Sequence, residues 1–451
     1  LLKKTFFGAR VSPNWLELFY GRMKSVSPKP SKLPRLRQAL SLSVAVIVSL
    51  SQLAAAPISW SGDGGVPAFY TWGDAIPAKP GVMLRSEPLP AAFSLPDAGV
   101  ALRILYSSTG WPNAAPITVS GALFIPKGKA PKGGWPLIAW SHGTTGYADV
   151  CAPSARPRSD RDGKYLNDWL KDGYAIVATD YQGLGTPGPH PYLQYQSEGM
   201  SVLDSVRAVQ NKFPELSRRV LTMGQSQGSG GALGAALIAP DYAPELQIKG
   251  TVATGIVAVT DAIGKAPQVK DPEIYAAPKA YGNSAFEVLF FLGTVRSTDP
   301  QKIQPEDYIS KEGWPLLQNA QHSCFRDLVK DAEAMKISMA SFYKRPIDDL
   351  EAIADKTGNF PSVHLKTPVF IGTGLADDMA KTSKQYNFIS AMCAAGTNVQ
   401  WHYYPHATHG SAVPRSREHS PAFVDAVMHD RPVQNLCSTL TPPGPIQTPE
   451  D

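Results

Sequence analysis

The sequence predicts an α/β fold: a mostly parallel central sheet flanked by helices, with an inserted helical cap. Three observations carry this expectation. Near-continuous apolar runs alternate with helical patterns, as strands buried on both faces require. Residues 219–238 read as strand, tight turn and helix, with a glycine-flanked serine at the turn. Residues 260–366 contain no clear strand, and a segment of that length between two strands is more than a loop.

The elements follow in order. Residues 100–106 (VALRILY) and 118–125 (TVSGALFI) are β-branched and alternating, and the short Pro/Asn segment between them fits an antiparallel pair. Residues 135–140 (WPLIAW) read as a strand, 165–171 as a short helix, and 174–179 (YAIVAT) as a strand. Residues 200–212 have helical spacing through Val202, Val206 and Val209. Residues 219–223 (RVLTM) are a strand, and the small-residue run 229–238 is a helix. Strands at 248–257, 368–372 and 399–404 complete the set. Helical patterns at 327–339 and 341–342, with the aromatic run 286–292 (FEVLFFL), fill the interval read as the cap. Core packing is the default reading of those aromatics. The expected organisation is a leader at 1–56, a first core part at 57–259, the cap at 260–366, a second core part at 367–437 and a disordered Pro/Thr-rich tail at 438–451.

The net charge of +5 comes from the leader. Residues 1–56 hold nine Lys/Arg and one Glu, so the remainder carries 34 Lys/Arg against 37 Asp/Glu. A nucleic-acid partner is therefore rejected. Lys32, Arg35 and Arg37 precede an apolar run at 39–50, and Ala54, Ala55 and Ala56 follow it. That order reads as an export signal cleaved near Ala56, with a run too short to span a bilayer. A secreted or periplasmic protein is expected. Four cysteines allow three disulfide connectivities. Cys393 and Cys437 flank the last strand and the C-terminal helical region, which favours the pairs 393–437 and 151–324. Their spacing is not that of a metal site.

Gly224-Gln-Ser226-Gln-Gly228 sits at the strand-to-helix turn. A sharp turn that exposes a serine strains its backbone, so Gly224 and Gly228 must be small. Ser226 is the candidate nucleophile. A serine needs a base, and the base needs a carboxylate to orient it. Asp377 follows the strand at 368–372, with Asp378 as its rival and expected as a cap or solvated charge. His409 follows the strand at 399–404 and is preferred to His406; His402, inside the strand pattern, reads as structural. An oxyanion needs backbone amides. One is expected from Gln227. The other is expected from Thr144, or alternatively Thr145, in the loop after the 135–140 strand, where His142 is read as fixing the loop.

These residues resemble the secretory lipases of bacteria and fungi, within the α/β-hydrolases. The resemblance rests on HGTTG (142–146) followed by CAPS (151–154), and on DYQGLGTPG (180–188) with HPY (190–192). It also rests on SEG (197–199) leading to DSVRA (204–208), on GQSQG (224–228), on GLAD (374–377) and on His409-Gly410. It spans residues 65–437. The resemblance implies hydrolysis of carboxylic esters, often acylglycerols at a lipid–water interface, by Ser226, Asp377 and His409 beneath a helical lid. It implies the two disulfides as well. No cofactor, metal, transmembrane span or obligate protein partner is expected. His406 is a departure, because relatives commonly carry a small residue in that turn. Esterases on short-chain, bulky or polymeric esters and serine peptidases share the fold and remain alternatives. A non-catalytic binding protein is disfavoured by the intact set.

Overall fold

The computed structural model describes residues 60–270 and 281–450. The whole leader, with its basic residues, apolar run and alanines, lies outside the described residues. So do ten residues of the cap. Nine strands among the described residues form one sheet: β1 (Met83–Pro88), β2 (Ala98–Thr109), β3 (Pro116–Pro126), β4 (Trp135–Ser141), β5 (Ala175–Thr179), β6 (Leu216–Gln225), β7 (Gln247–Thr254), β8 (Val369–Gly374) and β9 (Val399–Tyr404). Their spatial order is β1-β2-β3-β5-β4-β6-β7-β8-β9. β1, β2, β3 and β5 pair antiparallel, and every pairing from β5 to β9 is parallel. β1 has no counterpart in the sequence reading. Its sequence, MLRSEP, is polar and only half-buried along the sheet edge, so it leaves no apolar alternation to read.

The period of two along each strand divides the core. Leu137, Val177 and Val220 face one side, where α2 (Tyr195–Lys212) and α3 (Gln227–Tyr242) supply Val202, Val206, Ala235 and Ala239. Their neighbours Ile138, Ile176 and Leu221 face the other side. There α1 (Asp160–Lys171) contributes Leu166 and Trp169, and a C-terminal helix, Ser420–Met428, contributes Phe423 and Val427. α1 begins earlier than the sequence reading placed it. Ser159 caps it by accepting from Asp162 N, in a stretch too polar to show apolar periodicity.

Between β7 and β8 the described residues 281–358 carry the helices α4 (Ser284–Leu289), α5 (Pro305–Tyr308), α6 (Trp314–Asn319), α7 (Phe325–Met335), α8 (Met339–Phe342) and α9 (Asp348–Gly358). The 327–339 helix of the sequence reading is broken. Lys336 ends α7 in the left-handed conformation at φ 55°, and a Ser338/Ser341 capping box starts α8. Phe290, Phe291 and Leu292 are buried among Leu316, Leu328 and Phe342, so the aromatic run packs the cap's own core. The cap docks on the sheet domain through Tyr192 and Leu193. Gln194 Nε2 donates to Thr294 O at 2.9 Å, and Thr294 Oγ1 donates to Tyr192 O at 2.9 Å. After β8 come α10 (Thr382–Ala394), α11 (Ala412–Arg415) and α12, the Ser420–Met428 helix.

Two disulfides join Cys151 to Cys324 and Cys393 to Cys437. The first ties the loop after β4 to the start of α7. The second ties α10 to the segment beyond α12. The tail differs from the disorder expected of its composition. Tyr403 OH donates to Thr441 O at 2.7 Å, Gln447 N to Leu375 O at 2.9 Å, and His406 N to Gln447 Oε1 at 2.8 Å. A proline-rich chain has no helix or sheet to form, but its carbonyls and amides still find partners on a ready-made surface.

Candidate active site

The elbow at Ser226 follows from local sterics. β6 ends at Gln225 and α3 begins at Gln227, leaving Ser226 between them at φ 56° and ψ −125°. That region is sparsely populated for a residue with a side chain. Two glycines permit the turn. A Cβ on Gly224 would lie 1.9 Å from Gly228 O, and one on Gly228 would lie 2.0 Å from Ser141 O. Neither contact can be relieved without parting β4, β6 and α3. Ser226 N donates to Thr254 O at 3.0 Å, and Ser226 O accepts from Ser229 N at 2.8 Å.

Asp377 and His409 meet at the ends of β8 and β9. His409 Nδ1 is 2.8 Å from Asp377 Oδ2, and both residues are buried. The carboxylate is held on every side. Oδ1 accepts from Met379 N at 3.0 Å and Ala380 N at 2.8 Å, and Oδ2 also accepts from Gln385 Nε2 at 3.0 Å. Gln385 on α10 is fixed in turn, because its Oε1 accepts from Thr373 Oγ1 at 2.9 Å and Ile256 N at 3.2 Å. Gly255 makes room for the imidazole: a Cβ there would lie 2.7 Å from His409 Cε1. The remaining ring nitrogen, Nε2, is buried without a hydrogen-bond partner among the described residues. Ser226 and His409 border the same cleft, of about 560 Å³.

The rivals lie elsewhere. Asp378 is exposed. His406 adopts φ 60° and is occupied by the tail, with Nδ1 2.9 Å from Thr448 O and Nε2 3.3 Å from Glu450. His402 stacks between Phe370 and His419, with centroids at 5.1 and 4.1 Å. Burial, with His419 beside it, pulls its pKa down to about 4.

The loop after β4 runs against the elbow. A Cβ on Gly143 would fall 2.6 Å from Gln225 Oε1, and one on Gly146 would fall 2.7 Å from Cys151 Sγ. His142 is buried beneath this loop, 4.3 Å from the Tyr181 ring, with Nδ1 2.7 Å from Gly143 O. Thr144 and Thr145 both border the cleft. Thr144 Oγ1 lies 2.9 Å from Tyr192 OH, and Thr145 O accepts from Phe325 N of the cap at 2.8 Å. Gln227 is the first residue of α3, where backbone amides have no intrahelical acceptor.

The Gln227 side chain points away from the cleft into a buried network. Its Nε2 donates to His190 Nε2 and to Glu198 Oε1, each at 2.9 Å. Burial pulls His190 down to about 3 and pushes Glu198 up to about 8, favouring the neutral form of each. Sequence reading missed Gln385, Gly255 and the partners His190 and Glu198. Gly255 meets His409 from a different strand end, and His190 and Glu198 reach Gln227 across 37 and 29 positions of sequence, beyond any local motif; only the family-like HPY and SEG segments marked those two. Gln385 lies only 8 positions from Asp377, but a lone glutamine on a helix carries no signal of its own.

An α/β sheet with a capped cleft at the strand C-termini, a strained serine turn and a buried Asp–His pair is the architecture of an α/β-hydrolase. The family model "Secretory lipase" matches residues 160–433. The chain belongs to the secretory lipase family and is a carboxylic ester hydrolase. It is 22% identical to Lipase A of Moesziomyces aphidis over 385 residues, 80% of this chain and 79% of that one. Its fold matches Candida antarctica lipase A in its closed state, with a TM-score of 0.63 at 20% identity, covering 87% of this chain and 90% of that one. It also matches a mutant of the rice cell wall degrading esterase LipA from Xanthomonas oryzae, with a TM-score of 0.56 at 17% identity, covering 80% and 100%.

Proposed function

We propose that the protein is an exported serine ester hydrolase in which Ser226, His409 and Asp377 are nucleophile, base and orienting acid. The observation that carries the reading is the buried 2.8 Å contact between His409 Nδ1 and Asp377 Oδ2, at the cleft that Ser226 borders. Ser226 Oγ attacks the ester carbonyl and its proton passes to His409 Nε2. The Asp377 carboxylate holds Nδ1–H and stabilises the imidazolium. The amides of Gln227 and Thr144, with Thr145 as the alternative, hydrogen-bond the oxyanion. Collapse breaks the ester C–O bond, and His409 returns the proton to the leaving alcohol. A water then gives a proton to His409, attacks the acyl-enzyme and releases the acid and Ser226. No step needs a cofactor.

The core divides around the cap as 57–259 and 367–437, with the cap at 260–366. Two disulfides support passage through an oxidising compartment, and cleavage near Ala56 would produce the mature chain. No helix among the described residues is long and apolar enough to cross a membrane. Ser226→Ala tests the assignment. It should abolish turnover of a chromogenic short-chain ester and labelling by a fluorophosphonate, with an unchanged thermal transition. Turnover retained in that variant would overturn it.

A further inference from the structure

Beyond the residue 1–56 leader the chain has more Asp/Glu than Lys/Arg, yet the cleft at Ser226 is cationic. Among the described residues Arg156, Arg158, Arg161 and Arg326 border it, against the single carboxylate of Asp162. Arg161 stands beside the reacting groups. Its Nη2 donates to Gln225 Oε1, the residue before Ser226, at 3.1 Å. Its Nη1 would lie 3.9 Å from a Cβ on Gly410, the residue after His409. Asp162 takes one edge of this guanidinium at 2.7 Å. Arg158 sits 4.9 Å from the Phe124 ring centroid, with buried Asp180 as its other acidic neighbour. Asp180 spends its oxygens on Ser120 and Ser154; Arg158 Nη1 donates to Phe93 O at 3.4 Å, and its Nη2 is buried without a hydrogen-bond partner among the described residues. Arg156, before α1, and Arg326, on α7, are exposed on the core and cap sides of the cleft. Phe286 and Phe325, with rings 4.5 Å apart, complete an apolar wall.

A buried guanidinium edge without an acceptor is costly unless an anion meets it. Neutral acylglycerols offer none. We infer that the cleft selects esters whose own skeleton carries an oxyanion, a carboxylate or phosphate, near the scissile carbonyl. Arg161 and Arg158 hold the anion, and Arg156 and Arg326 steer it inward. This rests on the ester-hydrolase reading of the same cleft.

The test compares matched pairs on the purified mature protein. One arm sets 4-nitrophenyl hydrogen glutarate, with the anion on the acyl side, against 4-nitrophenyl butyrate. The other sets dihexanoylphosphatidate, with phosphate on the alcohol side, against dihexanoylglycerol, both below micelle formation. At low salt kcat/KM should favour at least one anionic ester by about tenfold, and the preference should shrink at high salt. Arg161→Gln should cut that ratio by about tenfold. Arg326→Gln, at an exposed position that folding tolerates, should cut it by about twofold and flatten its salt dependence. Ratios at or below one in both arms, with neutral esters turned over, would overturn the inference and leave the hydrolase reading standing. So would a ratio unchanged in both arginine variants. Turnover of none of the four esters would sink both.

Discussion

Replacing Asp377 by Asn separates an orienting carboxylate from a merely structural one. The carboxylate accepts two backbone amides on Oδ1, and Gln385 Nε2 and His409 Nδ1 on Oδ2. An Asn amide has one acceptor and one donor end. If its oxygen keeps the Met379 and Ala380 amides, its NH2 faces Gln385 and His409. Gln385 cannot turn round, because its own oxygen holds Thr373 and Ile256. His409 can accommodate the change only by moving its proton to Nε2, the atom that accepts from Ser226 in the proposed mechanism. The opposite orientation sets NH2 against two backbone amides and is no better. The expected result is a kcat lower by about 10⁴-fold, with one displaced buried donor costing about 1–3 kcal/mol of stability. Asp378→Asn, on an exposed side chain, should leave kcat near wild type and stability within about 0.5 kcal/mol. Stopped-flow and steady-state turnover of a chromogenic ester, with a urea transition for each variant, measure both. Asp377→Asn keeping more than about a tenth of the activity, or Asp378→Asn matching its loss, would refute the reasoning.

Two further predictions concern stability. The Cys151–Cys324 disulfide closes a sequence separation of 173 residues and pins the loop after β4 to the cap. Its removal in a Cys151→Ser/Cys324→Ser double variant should cost up to about 5 kcal/mol, read as a fall in the denaturant midpoint against the oxidised wild type; an unchanged midpoint would count against it. Glu198 has a carboxyl pushed up to about 8 by burial from an ordinary value of 4.5. Folding therefore takes up a proton between those values, so its contribution is complete below the ordinary value and is lost as pH rises toward 8. Glu198→Gln should make unfolding free energy fall less steeply between pH 5 and 8, by up to about 1.4 kcal/mol per unit. An identical slope in both proteins would show that Glu198 is already ionised.

Much of this protein was written locally. The alternation that predicted a covered parallel sheet recurs as Leu137 and Ile138 on opposite faces, because a strand's period of two sorts neighbours to opposite layers. The glycines around Ser226 were legible because a turn that tight excludes Cβ atoms within five residues of chain. The edge strand β1, the start of α1 and the break at Lys336 were not legible. Polar edges and caps are satisfied by single hydrogen bonds that leave no periodic signal.

By itself, the sequence determined the fold class, the strained serine turn and the strand ends at which an acid and a base should stand. Only the tertiary structure decided between neighbours in the chain: Asp377 is buried against His409 while Asp378 is exposed, and His406 is taken by the tail. It alone revealed Gln385 behind the acid and the arginines converging on the cleft from α1, its preceding loop and the cap. The reason is physical. Backbone propensity and periodicity act over a few residues. Desolvation, charge and hydrogen-bond partnership depend on which distant segments the folded sheet brings together.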